Sequence, residues 1–409
     1  MKPCDRLCIV AAIAITLVFG SEPSVEAQGP IRIGASLSQS GAYAVLSQNQ
    51  VGRGYRLCLK HVNDEGGVLG RKLELVVEDD QSQPATAARI YEKLITQDKV
   101  DLVLGPYGSP MTATVADVTE KHRMPLVAPG TATTSLFKQG RKFIFMVNPP
   151  GEVFLEGLID MAAKRGLKTV AVIHEDTLFA TTSARGAVDL AKKRGLEIVL
   201  VQAYPKGTTD FTAILTKVRA ANPDVLAAGT YLDDAVAITR QLKDLNVNPR
   251  MYGVTIGGAL PEFYKRLQRT AEFVYANSQW EPELVRLRAG GLIPVARQYP
   301  GAREFVEAHD REYPDADLAY HTAMGYGGCQ VLIEAVKRAG SLDREKIRNA
   351  ILKLDFNTVY GPFKVDADGL QIAHKMLILQ WQDGKKVIVW PDELAPGKPR
   401  FPTPPWSQR

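Results

Sequence analysis

The sequence predicts an α/β protein built from two doubly wound lobes, each with a parallel β-sheet covered by helices on both faces. Apolar runs of strand length alternate with amphipathic stretches of helix length from residue 31 onward. The strand runs are continuously apolar, which is typical of parallel strands buried on both faces. With 409 residues, 45% of them apolar, the chain is long enough for two domains with separate cores.

The first part of the chain predicts one series of strands and helices. Strands are expected at 31–37, 73–77, 102–104 and 125–128, with helices near 47–64, 84–97 and 109–121 between them. Gly66 and Gly67 end the first helix, and Pro84 opens the second, where a first-turn proline removes no helical hydrogen bond.

A second series follows the turn residues Asn148-Pro149-Pro150-Gly151. Its strands are expected at 169–173, 197–201, 225–229 and 251–255, separated by helices near 152–165, 180–194, 211–221 and 233–245. Two consecutive series of this kind predict two α/β lobes side by side.

The remaining chain predicts different elements. These are helices near 301–312, 320–339 and 343–353, a strand at 358–365, and a hairpin of 376–381 and 386–390. The hairpin turns at Asp383-Gly384, a pair that favours a tight turn. We expect these elements to complete the two lobes, so the chain crosses a hinge near 146–150, 276–282 and 356–362.

These crossings define the expected domains. Residues 28–147 with about 281–357 form the N-terminal lobe, and residues 148–280 with about 358–392 form the C-terminal lobe. A ligand cleft lies between the lobes. Residues 393–409 are rich in proline and predict an extended tail.

Residues 1–27 are typical of an export signal. Lys2 and Arg6 flank an apolar run at 7–20, and Val25-Glu26-Ala27 offers a cleavage site. The alternative, a retained anchor, needs about 20 apolar residues, and this run is shorter. We therefore expect a periplasmic protein that does not span the membrane after the signal is removed.

Cysteine and charge composition add two expectations. Cys58 and Cys329 remain after signal removal, either as a disulfide or as two buried apolar side chains. The formal net charge is only +5, from 50 Lys and Arg against 45 Asp and Glu. We expect no nucleic-acid partner from so balanced a composition.

Motifs for catalysis or cofactor binding are missing from the sequence. No P-loop or dinucleotide-binding glycine motif follows a strand, and the six histidines are scattered without metal-ligand spacing. Glu78-Asp79-Asp80 either binds a cation or caps and solvates a loop. His174 and Glu175 leave open a hydrolase, although no nucleophile accompanies them. We expect no enzyme, no cofactor and no metal.

Hydroxyl groups cluster where two strands of the first lobe end. Ser109 begins the helix after the third strand, and Thr131 and Thr133 follow the fourth. Hydroxyls beside free N–H groups at a helix start favour an anion, because those donors and the helix dipole attract negative charge. Ordinary N-capping is the alternative interpretation.

Aromatic residues follow strands of the second lobe. Phe179 and Tyr231 occupy such positions, and facing rings there favour an apolar or aromatic ligand body. Burial in the ordinary core of the lobe is the alternative for each ring.

The sequence resembles the periplasmic leucine/isoleucine/valine-binding protein family, the solute receptors of ABC importers. The resemblance runs from about residue 31 to residue 390. It rests on the order and spacing of short motifs, namely Gly105-Pro106-x-x-Ser109, Val127-Ala128-Pro129-Gly130, Pro223-Asp224-Val225 and Ala339-Gly340-Ser341.

The resemblance implies hinge closure of two lobes around a ligand whose α-carboxylate is held by a serine and a threonine. Ser109 falls on the serine, and Ala132 replaces the threonine between Thr131 and Thr133. Further site residues are expected in both lobes. Phe179 and Tyr231 fall on ligand-facing tyrosines, and Tyr43, Tyr107 and Thr255 are additional candidates.

The family's acidic partner for the ligand ammonium is missing. No Asp or Glu occurs from residue 250 to residue 261, where the resemblance implies one. A buried ammonium without a partner costs about 1–3 kcal/mol or more. The ligand therefore carries a carboxylate but need not be an α-amino acid, unless Asp233 or Asp234 faces the cleft.

Together these features predict a monomeric solute receptor that docks on the membrane subunits of an ABC permease. Its ligand is expected to be a branched-chain or related amino acid, or an aromatic or other organic acid. A ligand-sensing receptor or regulator on the same fold is the alternative.

Overall fold

A computed structural model describes residues 29–286 and 299–409. The expected export signal at 1–27 lies outside the described residues. Within them, no helix combines the length and the apolar character needed to cross a membrane.

Strands of the first sheet are all parallel. They are β1 (Ile31–Ser36), β2 (Leu73–Glu78), β3 (Leu102–Leu104), β4 (Leu126–Ala128) and β5 (Ile144–Met146). In space their order is β2-β1-β3-β4-β5. The four predicted strands are confirmed to within one residue at each end. The sequence analysis missed β5, a short strand at the edge of the sheet.

The second sheet contains five parallel strands and an antiparallel hairpin. Its parallel strands are β6 (Thr169–Glu175), β7 (Glu197–Tyr204), β8 (Val225–Gly229), β9 (Met251–Val254) and β10 (Tyr275–Ser278). A separate two-stranded ribbon pairs β11 (Asp355–Asn357) with β12 (Pro362–Lys364). The hairpin is β13 (Leu377–Gln382) and β14 (Lys385–Trp390), and the sheet order is β14-β13-β10-β9-β8-β6-β7.

Helices cover both sheets. In chain order they are α1 (Ala44–Leu46), α2 (Gly52–Asp64), α3 (Pro84–Thr96), α4 (Ser109–Lys121), α5 (Glu156–Lys164), α6 (Leu178–Lys193), α7 (Thr212–Ala221), α8 (Leu232–Asp244), α9 (Pro261–Leu267), α10 (Glu283–Arg286), α11 (Ala302–Glu312), α12 (Tyr320–Ala339) and α13 (Arg344–Ile351). The long predicted helices are confirmed. Short α9 and α10 were not predicted.

The predicted strand at 358–365 is confirmed only at Pro362–Lys364 (β12), because residues 358–361 form a turn. The chain reverses there, because Thr358 and Gly361 exchange backbone hydrogen bonds and Gly361 has a φ of 145°. A side chain at this φ would be strained, so glycine permits the turn between β11 and β12. By contrast, the predicted Asp383-Gly384 turn of the second hairpin is confirmed, with φ values of 51° and 77°.

The path of the chain joins the two sheets repeatedly. After β5 the chain enters the second sheet, and α12 returns to pack on α2, β3 and β4 of the first. Strands β13 and β14 then rejoin the second sheet. We call the first sheet with its helices the first lobe and the second sheet with its helices the second lobe. The residue boundaries of the lobes, including the tail at 393–409, stay predictions.

A disulfide joins Cys58 of α2 to Cys329 of α12, with their Cα atoms 6.3 Å apart. The interpretation of two unbonded apolar side chains is therefore wrong. The two helices approach closely at glycines, since a Cβ on Gly54 would lie 2.2 Å from the Thr322 carbonyl oxygen. A Cβ on Gly325 would lie 2.5 Å from the Val51 carbonyl oxygen. This contact fixes α12 against the first sheet.

Candidate ligand-binding site

A narrow cavity lies between the carboxyl ends of strands from the two lobes. The space between atoms in it is about 300 Å³. Ser109 follows β3 and Ala132 follows β4, while Tyr231 follows β8 and Gln279 follows β10. The carboxyl ends of parallel strands are the usual ligand position in open α/β sheets.

Ser109 is the centre of the polar group on the first lobe. It is the first residue of α4 and is fully buried, and its Oγ accepts hydrogen bonds from Thr131 Oγ1 at 3.0 Å and Ala132 N at 3.4 Å. Gly108, with a φ of 100°, donates its N–H to the Gly130 carbonyl oxygen and joins the two loops. The Ser109 hydroxyl hydrogen remains available to a ligand in the cavity.

N-capping does not explain these hydroxyl groups. Gly108 holds the N-cap position of α4, and no side chain caps that helix. Thr133 precedes a short 3₁₀ turn (Thr134–Leu136), which also has no side-chain cap. The free N–H groups at the start of α4 therefore keep their preference for negative charge.

The three predicted residues after β4 occupy different environments. Ala132 lines the cavity, whereas Thr131 does not and instead donates to Ser109. Thr133 is buried, and its Oγ1 has no hydrogen-bond partner in the described part of the chain. The backbone N–H of Ala132 points to Ser109 Oγ, and the alanine has no hydroxyl where the resemblance implies a threonine.

Aromatic rings form the opposite wall. Phe179 of α6 and Tyr231 before α8 both line the cavity, with their ring centroids 5.8 Å apart. Phe154 extends this wall, 5.0 Å from Phe179 in an edge-to-face arrangement. These rings offer an apolar surface to a ligand held between the lobes.

Tyr43 connects the lobes beside the cavity. Its ring centroid lies 5.9 Å from that of Tyr107, which lines the cavity from the first lobe, and 5.3 Å from that of Tyr231 in the second lobe. The ammonium of Lys206, from the loop after β7, lies 4.7 Å from the Tyr43 ring centroid. Burial raises the pKa of Tyr43 to about 12, so its hydroxyl stays protonated.

Thr255 has a structural position next to the site. Its hydroxyl donates to the Thr230 carbonyl oxygen at 2.9 Å and accepts the Thr230 N–H at 2.7 Å. It does not line the cavity, and the following residue, Ile256, does. The bonds through Thr255 join the ends of β8 and β9.

Neither acidic residue of α8 lines the cavity. Asp233 is exposed and pairs with Arg266 at 2.7 Å. Asp234 is buried, where it accepts the Tyr231 N–H at 2.8 Å and the Tyr204 hydroxyl at 2.5 Å. Burial raises the pKa of Asp234 to about 7. The described lining therefore offers no carboxylate to a ligand ammonium.

A second polar group lines the cavity where the chain runs from β10 back to α12. It consists of Gln279, Tyr320 and His321, all at most 2% exposed. These residues were not predicted from the sequence, because β10 was not predicted and nothing marked the start of α12 as facing a cleft. Two features of the sequence could have indicated them. Gln279 is a polar residue directly after a strand, and Tyr320 and His321 are two adjacent rings at the start of a helix.

His321 is uncharged in this environment. Burial lowers its pKa to about 3, and its Nε2 lies 3.2 Å from the Tyr107 hydroxyl. No Asp, Glu, Lys or Arg is among the described residues that line the cavity. The cavity wall is therefore formed entirely by neutral groups.

The other candidate clusters have local partners. Asp79 accepts the backbone N–H groups of Gln39 and Gln81, and Asp80 accepts the hydroxyls of Ser36 and Ser38. These carboxylates hold the loops after β1 and β2. In residues 29–286 and 299–409 no three His, Cys, Asp or Glu side chains are grouped as metal ligands.

His174 and Glu175 lie beside the site without lining it. His174 Nδ1 lies 2.7 Å from the Glu175 carbonyl oxygen, and Glu175 accepts the Thr177 hydroxyl at 3.0 Å. Neither residue is among the described residues that line the cavity.

Comparisons with known proteins identify similar chains. The model of a family described as periplasmic binding protein matches residues 30–386. A Leu/Ile/Val-binding protein homolog 7 from Brucella melitensis is 27% identical over 413 residues, covering 96% of this chain and 99% of the relative. The leucine-binding protein LivK from Thermotoga maritima is 25% identical with a TM-score of 0.77, covering 88% of this chain and 97% of that one.

A third similar protein shares the fold at lower identity. It is an ABC transporter solute-binding protein from R. palustris, solved in complex with benzoate. The two chains are 18% identical with a TM-score of 0.75, and the match covers 88% of this chain and 96% of that one.

Proposed function

This chain belongs to the periplasmic binding protein family, and from that premise we propose that it is the solute receptor of an ABC importer for a small carboxylate. The candidate ligands are a branched-chain or related amino acid and an aromatic or other organic acid. Similar proteins support both classes of ligand, since LivK is named as a leucine-binding protein and the R. palustris protein was solved with benzoate.

The observation that carries the proposal is the Ser109 hydroxyl. It faces the cavity and already accepts from Thr131 and Ala132, so its own hydrogen is directed to a further acceptor. The start of α4 adds free N–H groups and the positive end of the helix dipole. A carboxylate satisfies both without a basic side chain.

Closure of the lobes follows from contacts on both sides of the ligand. Thr134 of the first lobe donates to Glu152 of the second at 2.6 Å, and Lys265 of the second pairs with Asp317 of the first. A ligand shifts the open–closed equilibrium only if it binds the closed state better. Ser109 from one lobe and Phe179 and Tyr231 from the other provide that difference.

Thermal unfolding of the purified protein tests ligand class. L-leucine, 4-methylpentanoate and benzoate are compared with the carboxamide of each. Binding to the folded state raises the unfolding temperature by mass action. We expect at least one carboxylate to raise it and its carboxamide to have a much smaller effect. Equal shifts for acid and amide, or none for any small acid, contradict the proposal.

The importer role needs a partner test. The liganded protein should associate with the membrane subunits of a permease reconstituted from the same cell, and it should stimulate ATP hydrolysis by the transporter. A chain that binds its ligand but never engages a permease is instead a sensor on the same fold.

A further inference from the structure

The second polar group of the cavity has hydrogen-bonding atoms without partners. Within the described residues, Nδ1 of His321 forms no hydrogen bond, and the Tyr320 hydroxyl and the Gln279 amide have at most a contact with each other. All three side chains are at most 2% exposed and line the cavity. Buried polar atoms are normally paired, so unpaired atoms that face a ligand cavity indicate a missing partner.

The chemistry of this group suits a partner that both donates and accepts hydrogen bonds. A carboxamide both donates and accepts, and so does a phenol, while the neutral imidazole of His321 adds one further donor or acceptor. No charged side chain is among the described lining residues that could balance an ammonium or a second carboxylate here. A hydroxyl group, which also donates and accepts, matches the Gln279 amide in both directions.

The group lies apart from Ser109 but within the same cavity. Tyr107 connects them, because it is two residues before Ser109 and its hydroxyl lies 3.2 Å from His321 Nε2. Phe154, Phe179 and Tyr231 of the aromatic wall line the same cavity. One flat molecule is therefore able to reach both polar groups.

We propose that Gln279, Tyr320 and His321 form a subsite for an uncharged hydroxyl group, and that the ligand is an aromatic carboxylate that carries such a hydroxyl. This inference rests on the proposed function and names the ligand class of the same site. In the complex, Gln279 Oε1 accepts the ligand hydroxyl hydrogen, while Gln279 Nε2 or the Tyr320 hydroxyl donates to its oxygen.

Isothermal titration calorimetry with benzoate, 3-hydroxybenzoate and 4-hydroxybenzoate tests the subsite in the native protein. A ligand hydroxyl would form hydrogen bonds with the buried polar atoms of the subsite. We therefore expect one hydroxybenzoate to bind at least about tenfold more tightly than benzoate. Equal affinities, or a preference for benzoate, overturn the inference while leaving carboxylate recognition intact. Binding of L-leucine without binding of any benzoate also overturns it. Failure of every carboxylate instead contradicts the proposed function.

Two variants locate the preference. Gln279→Met keeps the side-chain length and removes both polar atoms, and Tyr320→Phe removes only a hydroxyl. In either, the ratio of the benzoate dissociation constant to that of the preferred hydroxybenzoate should fall to about one. A ratio unchanged from the native protein in both variants overturns the inference.

Tyr275→Phe is the matched control. Tyr275 is also a buried tyrosine, with its hydroxyl near the Gln380 side chain, but it lies within β10 and outside the cavity lining. Its variant should keep the native ratio of affinities. Thermal unfolding of each unliganded variant checks that the fold is retained.

Discussion

The ring of Tyr43 in the first lobe lies 5.3 Å from the ring of Tyr231 in the second, measured between centroids. Tyr43 precedes α1, and Tyr231 precedes α8. Their contact, together with the ammonium of Lys206 over Tyr43, holds the two lobes against each other beside the cavity. We expect these rings to couple ligand binding to lobe closure.

Removing the Lys206 charge should weaken binding by destabilising the closed state. A cation–π contact contributes about 0.5–1 kcal/mol at an accessible site, so Lys206→Met should raise the ligand dissociation constant about two- to fivefold. Calorimetric titration measures the change. Lys217→Met is the control, because Lys217 is exposed and donates to Gln202 within the same lobe. Equal affinities in the native protein and Lys206→Met contradict a closing role for Lys206.

A comparison of Ser109 and Phe179 with Gln279, the first residue after β10, shows which site residues the sequence could and could not predict. Ser109 and Phe179 were found because each follows a continuously apolar run that is recognised as a strand. Gln279 was missed because β10 is only Tyr275–Ser278, with polar Asn277 and Ser278 inside it. The hydrogen bonds of strand β10 come from β9 and β13, which are distant in sequence, and hydrophobic periodicity does not reveal such pairing.

Thr255 and Tyr43 show the same limit at the level of side chains. Both were predicted near the site from their strand ends, but Thr255 joins two backbone segments and Tyr43 packs against rings beside the lining. Strand order brings a residue to the correct edge of the sheet. The direction of its side chain depends on local turns such as the one at Gly257, where φ is 102°.

An added carboxylate should create ammonium recognition. Ile256 lines the cavity directly after Thr255, in the segment where no acidic residue occurs. Ile256→Glu should therefore improve binding of L-leucine relative to 4-methylpentanoate by about tenfold, since a buried ammonium gains a charged partner. Competition titration with the two ligands measures the ratio. A native protein that already prefers leucine strongly contradicts the inferred lack of an ammonium partner.

The Cys58–Cys329 bond should stabilise the first lobe without contributing to ligand contacts. Neither cysteine lines the cavity between the lobes. Replacing both by alanine should lower the free energy of unfolding by about 2–4 kcal/mol, because the bond restricts the unfolded chain. Urea unfolding measures the loss. Ligand affinity at 25 °C should stay within about twofold of the native value; a larger change would show that α12 moves when the bond is absent.

Asp234 should give the protein a specific pH dependence. Burial raises its pKa from 3.8 to about 7 in the folded state, so the folded protein binds the proton more tightly than the unfolded chain. The contribution of this group to stability is then present at low pH and is lost as the pH rises from about 4 to about 7. Asp234→Asn does not ionise and should gain stability relative to the native protein across that interval.

Urea unfolding of both proteins at several pH values measures this difference. Asp233→Asn is the control, because Asp233 is its exposed neighbour and pairs with Arg266 at the surface. Its difference from the native protein should not rise with pH in the same interval. Parallel pH curves for Asp234→Asn and the native protein would mean that Asp234 ionises normally in the fold.

The affinity of Ser109→Ala for the best carboxylate is the most direct test of the central claim, that the start of α4 holds the ligand's anion. Loss of a buried hydrogen bond to a charged group predicts an affinity reduced by about tenfold or more. Ser183→Ala is the matched control, a buried helical serine bonded to Ala180 and outside the lining. An affinity lowered in Ser109→Ala and unchanged in Ser183→Ala supports the account; an unchanged affinity in Ser109→Ala contradicts it.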